Sequence, residues 1–120
     1  RRLMFDCGMF QGRRQLAREL NTQYPVAPAD VHEVVLSHAH IDHSGSLPAF
    51  SRFGFKGPVH CTHATRDLAE IMLRDSGHIQ EKDAEFVTRR NLRRGEPPVE
   101  PLYTSQDVEQ VLPRLTPQAC

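Results

Sequence analysis

The stretch that decides the fold reads LSHAHIDHSG, residues 36–45, and it concentrates side chains that bind metal ions. In extended backbone, side chains two positions apart point to the same side, so His38, His40 and Asp42 can converge. A turn at Asp42 can then bring His43 to the same point. Imidazole nitrogens suit Zn²⁺, and the offset of Asp42 and His43 suits a second ion about 3.5–4 Å from the first. The stretch therefore predicts a two-metal site.

The position of this stretch favours a ligand site over its alternative, an exposed polar loop. Val34-Val35-Leu36 indicates a buried strand that ends near Ser37. Ligands of α/β proteins bind at the carboxyl ends of strands, and Asp6, which follows the strand pattern Leu3-Met4-Phe5, can lie beside the same site. A chance H-x-H-x-D-H pattern has odds of about one in a thousand at the His and Asp frequencies of this chain.

Composition excludes several classes of protein. The chain has 120 residues, a formal net charge of zero and 7 histidines, so it is not a strongly basic nucleic-acid module. The longest aliphatic run is far shorter than the roughly 18 residues of a membrane span. Three cysteines do not pair evenly, so we expect reduced, inert thiols in a cytoplasmic protein rather than a disulfide framework. These are Cys7, Cys61 and Cys120.

Strand and helix patterns alternate along the chain, which is typical of the α/β class. In the first half we expect a strand at 3–5, a glycine-punctuated loop at 8–12, a helix at 13–20, a strand ending near 37, a loop at 38–45, a helix over 47–53 and a strand at 58–61. In the second half we expect a helix from 64 towards 91 that Gly77 interrupts, a proline-marked loop at 97–101, and a capping box at 104–107 that starts a helix ended by Pro113. Ala64, Leu68, Ile71 and Met72 share one face of the long helix.

Two further clusters each allow two interpretations. His60 and His63 flank Cys61, which allows a Cys/His metal site, but a strand-to-helix junction with Thr62 starting the helix explains them as well. Four arginines between positions 89 and 94 are candidates for phosphate contact, whereas a solvated helix face is the simpler interpretation. His32 precedes the buried strand and is expected at the surface.

At this point the sequence resembles a known family. HAHIDH at 38–43 is similar to the H-x-H-x-D-H signature of the metallo-β-lactamase fold. FDCGMFQG at 5–12, SGSLP at 44–48 and GFKGPV at 54–59 resemble its β-CASP branch. That branch includes RNA-processing exonucleases and the nuclease subunit of the cleavage and polyadenylation machinery. Similarities to the bacterial exonuclease-like members lie at 71–76, 78–81 and 98–103.

The resemblance covers nearly the whole chain and implies an αββα sandwich of which residues 1–120 form a partial, N-terminal portion. The β-CASP domain and the family's later metal motifs would follow Cys120. Gly77-His78 matches a helical insert and is not assigned as a ligand motif. We expect the isolated piece to be inactive because it supplies only part of the metal site. A complete short protein is the alternative.

The resemblance also assigns roles to individual residues. His38 and His40 would bind the first of two zinc ions. Asp42 and His43 would bind the second. Asp6 would match the first-motif aspartate and orient a ligand histidine, while Asp42 could also steer or accept a proton.

The implied function is a zinc-dependent metallo-hydrolase, a ribonuclease that cleaves RNA phosphodiester bonds in RNA processing or decay. Its expected partner is RNA, with no membrane partner and with a homodimer as a candidate assembly. One alternative is another hydrolase of the same fold, of the thioesterase or lactonase type. Another is a non-catalytic scaffold, against which the intact ligand pattern counts.

Overall fold

The strands among the described residues form one parallel sheet. The computed structural model describes residues 2–8 and 27–118. Within them the sheet consists of β1 (Leu3–Phe5), β2 (Glu33–Val35), β3 (Val59–Thr62) and β4 (Leu115–Gln118), hydrogen-bonded in that order. The strands predicted at 3–5, near 34–36 and at 58–61 are thereby confirmed. The predicted helix at 13–20 and most of the predicted loop at 8–12 lie outside the described residues.

One face of the sheet forms the floor of the core. The pairing register aligns Met4, Val34, Val59 and Leu115 in a row across the four strands. Val34 and Val59 are fully buried, because the helices pack on this face. On the opposite face of β1, the side chain of Phe5 is 75% exposed. The sheet is therefore covered on one side only by the described residues.

Helices lie in the connections from β2 to β3 and from β3 to β4, so the predicted α/β class is confirmed. The helices are α1 (Ile41–Ser44), α2 (Leu47–Arg52), α3 (His63–Arg93) and α4 (Ser105–Val111), with 3-10 turns at Pro28–Asp30 and Leu112–Arg114. Thr62 caps α3 by accepting a hydrogen bond from the Thr65 amide at 3.1 Å. The capping box of Thr104 and Asp107 at the start of α4 is present as predicted. Within the described chain no helix has the length and apolar character that crossing a membrane would need.

Large side chains from α2, α3 and the loops pack onto the sheet. The rings of Phe50 and Phe55 lie 5.3 Å apart between centroids, and both are buried. Tyr103 is fully buried, and its hydroxyl lies 2.5 Å from the Ser76 hydroxyl on α3. Burial of each such side chain stabilises the fold by about 1.5–3 kcal/mol. The contact between Tyr103 and Ser76 holds the 95–104 loop against α3.

The predicted interruption at Gly77 is wrong. Helix α3 runs without a break from His63 to Arg93. Gly77 is buried in its middle, where a Cβ atom would lie 3.0 Å from Cγ2 of Val108 and 3.3 Å from Cα of Ser105. The glycine is therefore explained by the close approach of α4, since a larger side chain would keep the two helices apart.

Most of the apolar face expected on α3 does not face the core, although Met72 is half-buried against it. Leu68 is 47% exposed and Ile71 is 68% exposed. The buried side of the helix is lined by smaller and more polar residues, which are Thr65, Ala69, Leu73, Ser76, Gly77, Ala84, Val87 and Asn91. Small side chains on this side allow the helix to lie close to α4 and to the sheet.

Two other segments differ from the sequence prediction. Residues 38–45 are not entirely loop, because α1 forms one turn in which the Gly45 amide bonds to the Ile41 carbonyl at 2.8 Å. Strand β4 was not predicted at all. It forms because Leu115 to Gln118 pair in parallel with β3 at the edge of the sheet.

Candidate metal centre

The candidate centre lies at the carboxyl ends of β1 and β2. Phe5 pairs with Val35, so the residues that follow each strand leave the sheet side by side. The Asp6 amide continues the ladder by donating to the Val35 carbonyl at 2.8 Å. The histidine segment starts just beyond this point. The expectation that Asp6 lies beside that segment is confirmed.

The backbone of Asp6 has an unusual conformation that turns the chain towards the histidines. Its φ angle is 61°, in the left-handed region that few residues other than Gly, Asn and Asp adopt. Immediately after it, the Cys7 amide donates to the His43 carbonyl at 2.7 Å, and the Cys7 carbonyl accepts from the Ser46 amide at 2.9 Å. The end of β1 is thus fastened to α1 and to the residues that follow it.

The Asp6 carboxylate accepts three hydrogen bonds. The Ser37 amide donates to Oδ1 at 2.6 Å, and the Ser37 hydroxyl donates to Oδ2 at 2.7 Å. Nδ1 of His43 lies 2.8 Å from Oδ2. Burial raises the pKa of Asp6, but the bonds from the Ser37 backbone, His43 and the Ser37 hydroxyl outweigh it and hold the pKa below its ordinary value. Asp6 is therefore a fixed negative charge beside the imidazoles.

Three predicted ligand histidines come together next to this carboxylate. The ring centroids of His38 and His43 are 3.8 Å apart, and those of His38 and His40 are 4.9 Å apart. Helix α1 turns the chain after His40 and so brings His43 back towards His38. The side chain of Asp42 lies outside the described part of the structure.

Ser37 belongs to this cluster, and sequence reasoning missed it. Its hydroxyl contacts Asp6 and also lies 3.0 Å from Nδ1 of His38. The signal that could have found it is its position between the end of a buried strand and the first ligand histidine. A hydroxyl at this position can reach both the histidine that follows it, His38, and the end of the neighbouring strand, Asp6.

The donor set fits zinc, although the described side chains do not yet form a site. Among residues 2–8 and 27–118, the side chain of Asp42 apart, no three His, Cys, Asp or Glu side chains are arranged to hold a metal ion. Two of the imidazoles are nevertheless held through Nδ1, that of His43 by Asp6 and that of His38 by Ser37. Metal-binding histidines ordinarily have their second ring nitrogen hydrogen-bonded in this way.

The other candidate clusters have structural explanations. Nε2 of His60 lies 3.0 Å from Oε1 of Glu33 on the neighbouring strand, while Cys61 points to the buried face. The strand-to-helix junction at Thr62 is confirmed by its capping bond, and the described geometry gives no support to a Cys/His site there. His32 is exposed as expected, and its Nδ1 accepts from the Arg2 amide at 2.9 Å.

The arginine cluster lies at the far end of α3. Arg89, Arg93 and Arg94 are exposed, as expected for a solvated helix face. Arg90 is half-buried, and within the described chain its Nε has no hydrogen-bond partner. Basic side chains in the last turn also interact favourably with the helix dipole. Contact with phosphate is not required to explain them.

Comparison with known proteins places this geometry in a family context. The model of the Metallo-beta-lactamase superfamily matches residues 1–114. The protein named ribonuclease TTHA0252 of Thermus thermophilus is 38% identical over 117 residues, which cover 98% of this chain and 22% of that protein.

Two more relatives bear other names. The transcription termination factor FttA of Methanococcus maripaludis is 30% identical over 122 residues, covering 97% of this chain and 16% of its own length. Integrator complex subunit 11 of Danio rerio is 31% identical over 115 residues, covering 89% of this chain and 19% of its own length. The chain thus spans about a fifth of the length of the curated relatives it matches.

Proposed function

The chain belongs to the metallo-beta-lactamase superfamily, and we propose that it forms the metal-binding part of a zinc-dependent ribonuclease. The observation that carries the proposal is the set of three imidazoles beside the Asp6 carboxylate, where Nδ1 of His43 lies 2.8 Å from Oδ2. RNA is the proposed substrate because one relative is named a ribonuclease and another a transcription termination factor. The same relatives support the β-CASP branch, and with it RNA processing or decay.

The ligand roles follow from how each imidazole is held. A carboxylate accepts but does not donate, so Nδ1 of His43 donates to Asp6 and places its lone pair on Nε2. In our proposal His38 and His40 bind the first zinc ion. Asp42 and His43 bind the second.

Asp6 and Asp42 have separate tasks in the proposed reaction. Zinc, when bound, would lower the pKa of water to about 7 and polarise the scissile phosphate. Asp6 holds His43 in one orientation and adds negative charge that makes the imidazole a better donor to a cation. Asp42 steers the attacking water or accepts its proton.

One face of the sheet is left uncovered by the residues that the structure describes, and this supports a larger domain. Parallel sheets are ordinarily covered on both faces. Here Leu3 is 53% exposed and Phe5 is 75% exposed on the side away from the helices. We propose that residues 1–120 are part of an αββα sandwich whose second sheet covers this side, and that a β-CASP domain and the remaining metal motifs complete the enzyme.

Location and assembly are also proposals. Cys7 and Cys61 are free and buried, as expected for a protein of the reducing cytoplasm. A homodimer is the proposed assembly, and light scattering of the intact protein tests it.

The experiment that tests the function uses the intact protein, end-labelled RNA, a thioester and a lactone. We expect RNA cleavage that a chelator abolishes and that added Zn²⁺ restores, with two zinc ions per chain by mass spectrometry. Hydrolysis of the thioester or the lactone in place of RNA would favour the other hydrolases of the fold. Bound zinc with no turnover of any substrate would favour a scaffold.

A further inference from the structure

The hydroxyl of Ser37 lies between Asp6 and His38. Its Oγ is 2.7 Å from Oδ2 of Asp6 and 3.0 Å from Nδ1 of His38. The Ser37 amide donates to the other oxygen of the same carboxylate at 2.6 Å. Two bonds from one residue to one carboxylate fix the position of the hydroxyl. Rotation of the serine side chain would break its contact with Asp6.

The direction in which this hydroxyl donates its single proton decides which ring nitrogen of neutral His38 carries the hydrogen. An ionised carboxylate only accepts, so the hydroxyl donates its proton to Asp6. The oxygen of Ser37 then faces Nδ1 of His38 with a lone pair. That contact is a hydrogen bond only when Nδ1 carries the proton and donates it. In a neutral imidazole the lone pair is then on Nε2.

We propose that Ser37 is a positioning residue that extends the influence of the Asp6 carboxylate to His38. Asp6 then orients two imidazoles: His43 directly, and His38 through the hydroxyl of Ser37. Both rings present Nε2 as the metal-binding nitrogen. The metal-binding part of this inference rests on the proposed function, whereas the tautomer of His38 does not.

The chain offers variants that isolate the hydroxyl. Ser37→Ala keeps the hydrogen bond from the backbone amide to Oδ1 of Asp6, and it removes the contacts of the hydroxyl with Oδ2 of Asp6 and with Nδ1 of His38. Ser37→Thr keeps the hydroxyl. Ser44→Ala is the matched control, since its hydroxyl donates to the carbonyls of Ala39 and His40 at 2.8 and 3.1 Å and contacts no imidazole.

The first measurement is the tautomer of His38 in the intact, zinc-free protein. The protein is labelled with ¹⁵N-histidine and studied by magic-angle-spinning NMR at a pH where His38 is neutral, and a His38→Gln variant assigns the signal. We expect Nδ1–H in the wild type, in Ser37→Thr and in Ser44→Ala, and a mixture of tautomers in Ser37→Ala. An Nε2–H wild type, or an unchanged Ser37→Ala, would overturn the inference. So would a mixture in Ser44→Ala, which would attribute the effect to loosening of the loop.

The second measurement is zinc affinity, by competition with a chromophoric chelator. Loss of a partner that orients a ligand histidine typically weakens metal binding 10–100-fold, and we expect a loss of about that size in Ser37→Ala. Ser37→Thr should restore the affinity. Wild-type affinity in Ser37→Ala would contradict the positioning role. A wild type that binds no zinc while the tautomer result holds would instead contradict the proposed function.

Discussion

Asp6 and His43 are 37 positions apart in the chain, yet Oδ2 of Asp6 and Nδ1 of His43 are 2.8 Å apart. A backbone hydrogen bond joins the same two segments, since the Cys7 amide donates to the His43 carbonyl at 2.7 Å. The candidate centre is therefore formed jointly by two strand ends and not by the histidine segment alone. Parallel pairing of β1 with β2 brings these ends together. Disruption of β1 should damage the centre without touching a histidine.

The charge of Asp6 is the first feature to test, with Asp6→Asn. Asn tolerates the φ angle of 61°, so the backbone should keep its course. An amide whose oxygen faces the Ser37 N–H turns its NH₂ group towards Nδ1 of His43, which places two donors against each other. We expect zinc affinity to fall by about 10–100-fold with little change in Tm.

The exposed Asp30→Asn is the control for this loss of charge. Chelator competition and differential scanning calorimetry of the intact protein give the two quantities. If Asp6→Asn bound zinc with wild-type affinity, the proposed role of Asp6 in the centre would be contradicted.

The imidazole of His40 is the second feature to test, with His40→Ala. Because His40 is proposed as a ligand of the first ion, we expect zinc content and RNA cleavage to fall together. The exposed His32→Ala serves as control, since His32 precedes β2 and so lies at the opposite end of that strand from the cluster. Retention of two zinc ions per chain in His40→Ala would contradict the assignment.

The sequence predicts the elements whose signals are local. Thr104 and Asp107 form the expected capping box, and the apolar run around Val34 forms the expected buried strand. Strand β4 escapes prediction because Pro117 interrupts its pattern, and only pairing with β3 at the edge makes it a strand. The exposed Ile71 shows the same limit, since periodicity defines a helix face but not the surface it packs on.

The sequence likewise predicts part of the candidate centre and not all of it. The spacing of His38, His40 and His43 gives their convergence, and the strand ends place Asp6 beside them. The role of Ser37 depends on which of its neighbours its hydroxyl faces, and that is set by the turn of the backbone at Asp6. No spacing rule in the sequence contains that information.

The close contact of α3 with α4 at Gly77 is the third feature to test. Gly→Ala in a helix interior ordinarily stabilises by about 1 kcal/mol. Here the new Cβ would lie 3.0 Å from Cγ2 of Val108, and overpacking costs about 1–3 kcal/mol. We expect Gly77→Ala to lower the free energy of unfolding. Val108→Ala removes the crowding atom but also a buried side chain, so the double variant should lose less than the sum of the two single variants.

Asp75→Ala, at an exposed position of the same helix, is the control and should be neutral or stabilising. Urea denaturation of the intact protein measures these differences. A stabilised Gly77→Ala would show that the two helices are not in close contact there.

The buried pair of Ser76 and Tyr103 is the fourth feature to test. Their hydroxyl oxygens are 2.5 Å apart, and Tyr103 is fully buried. Removal of one hydroxyl leaves the other buried and unpaired, so Tyr103→Phe and Ser76→Ala should each cost about 1–3 kcal/mol. The double variant should cost less than the sum of the two. Strict additivity in a urea-based double-mutant cycle would mean that the hydroxyls do not interact.

The thiol of Cys7 is the fifth feature to test, because it lies next to Asp6 in the sequence but is buried in the core. Burial, together with the negative charge of Asp6, raises the pKa of Cys7 to about 12. Since the thiolate is the reactive form, only about one thiol in ten thousand is ionised at pH 8. We expect iodoacetamide to leave Cys7 unmodified in the native intact protein and to label it in urea, as measured by mass spectrometry of the peptide. Asp6→Asn removes one of the two causes of the raised pKa, while the thiol stays buried. Labelling of Cys7 in that variant should therefore increase only slightly, and rapid labelling of the native wild type would show that the thiol is accessible.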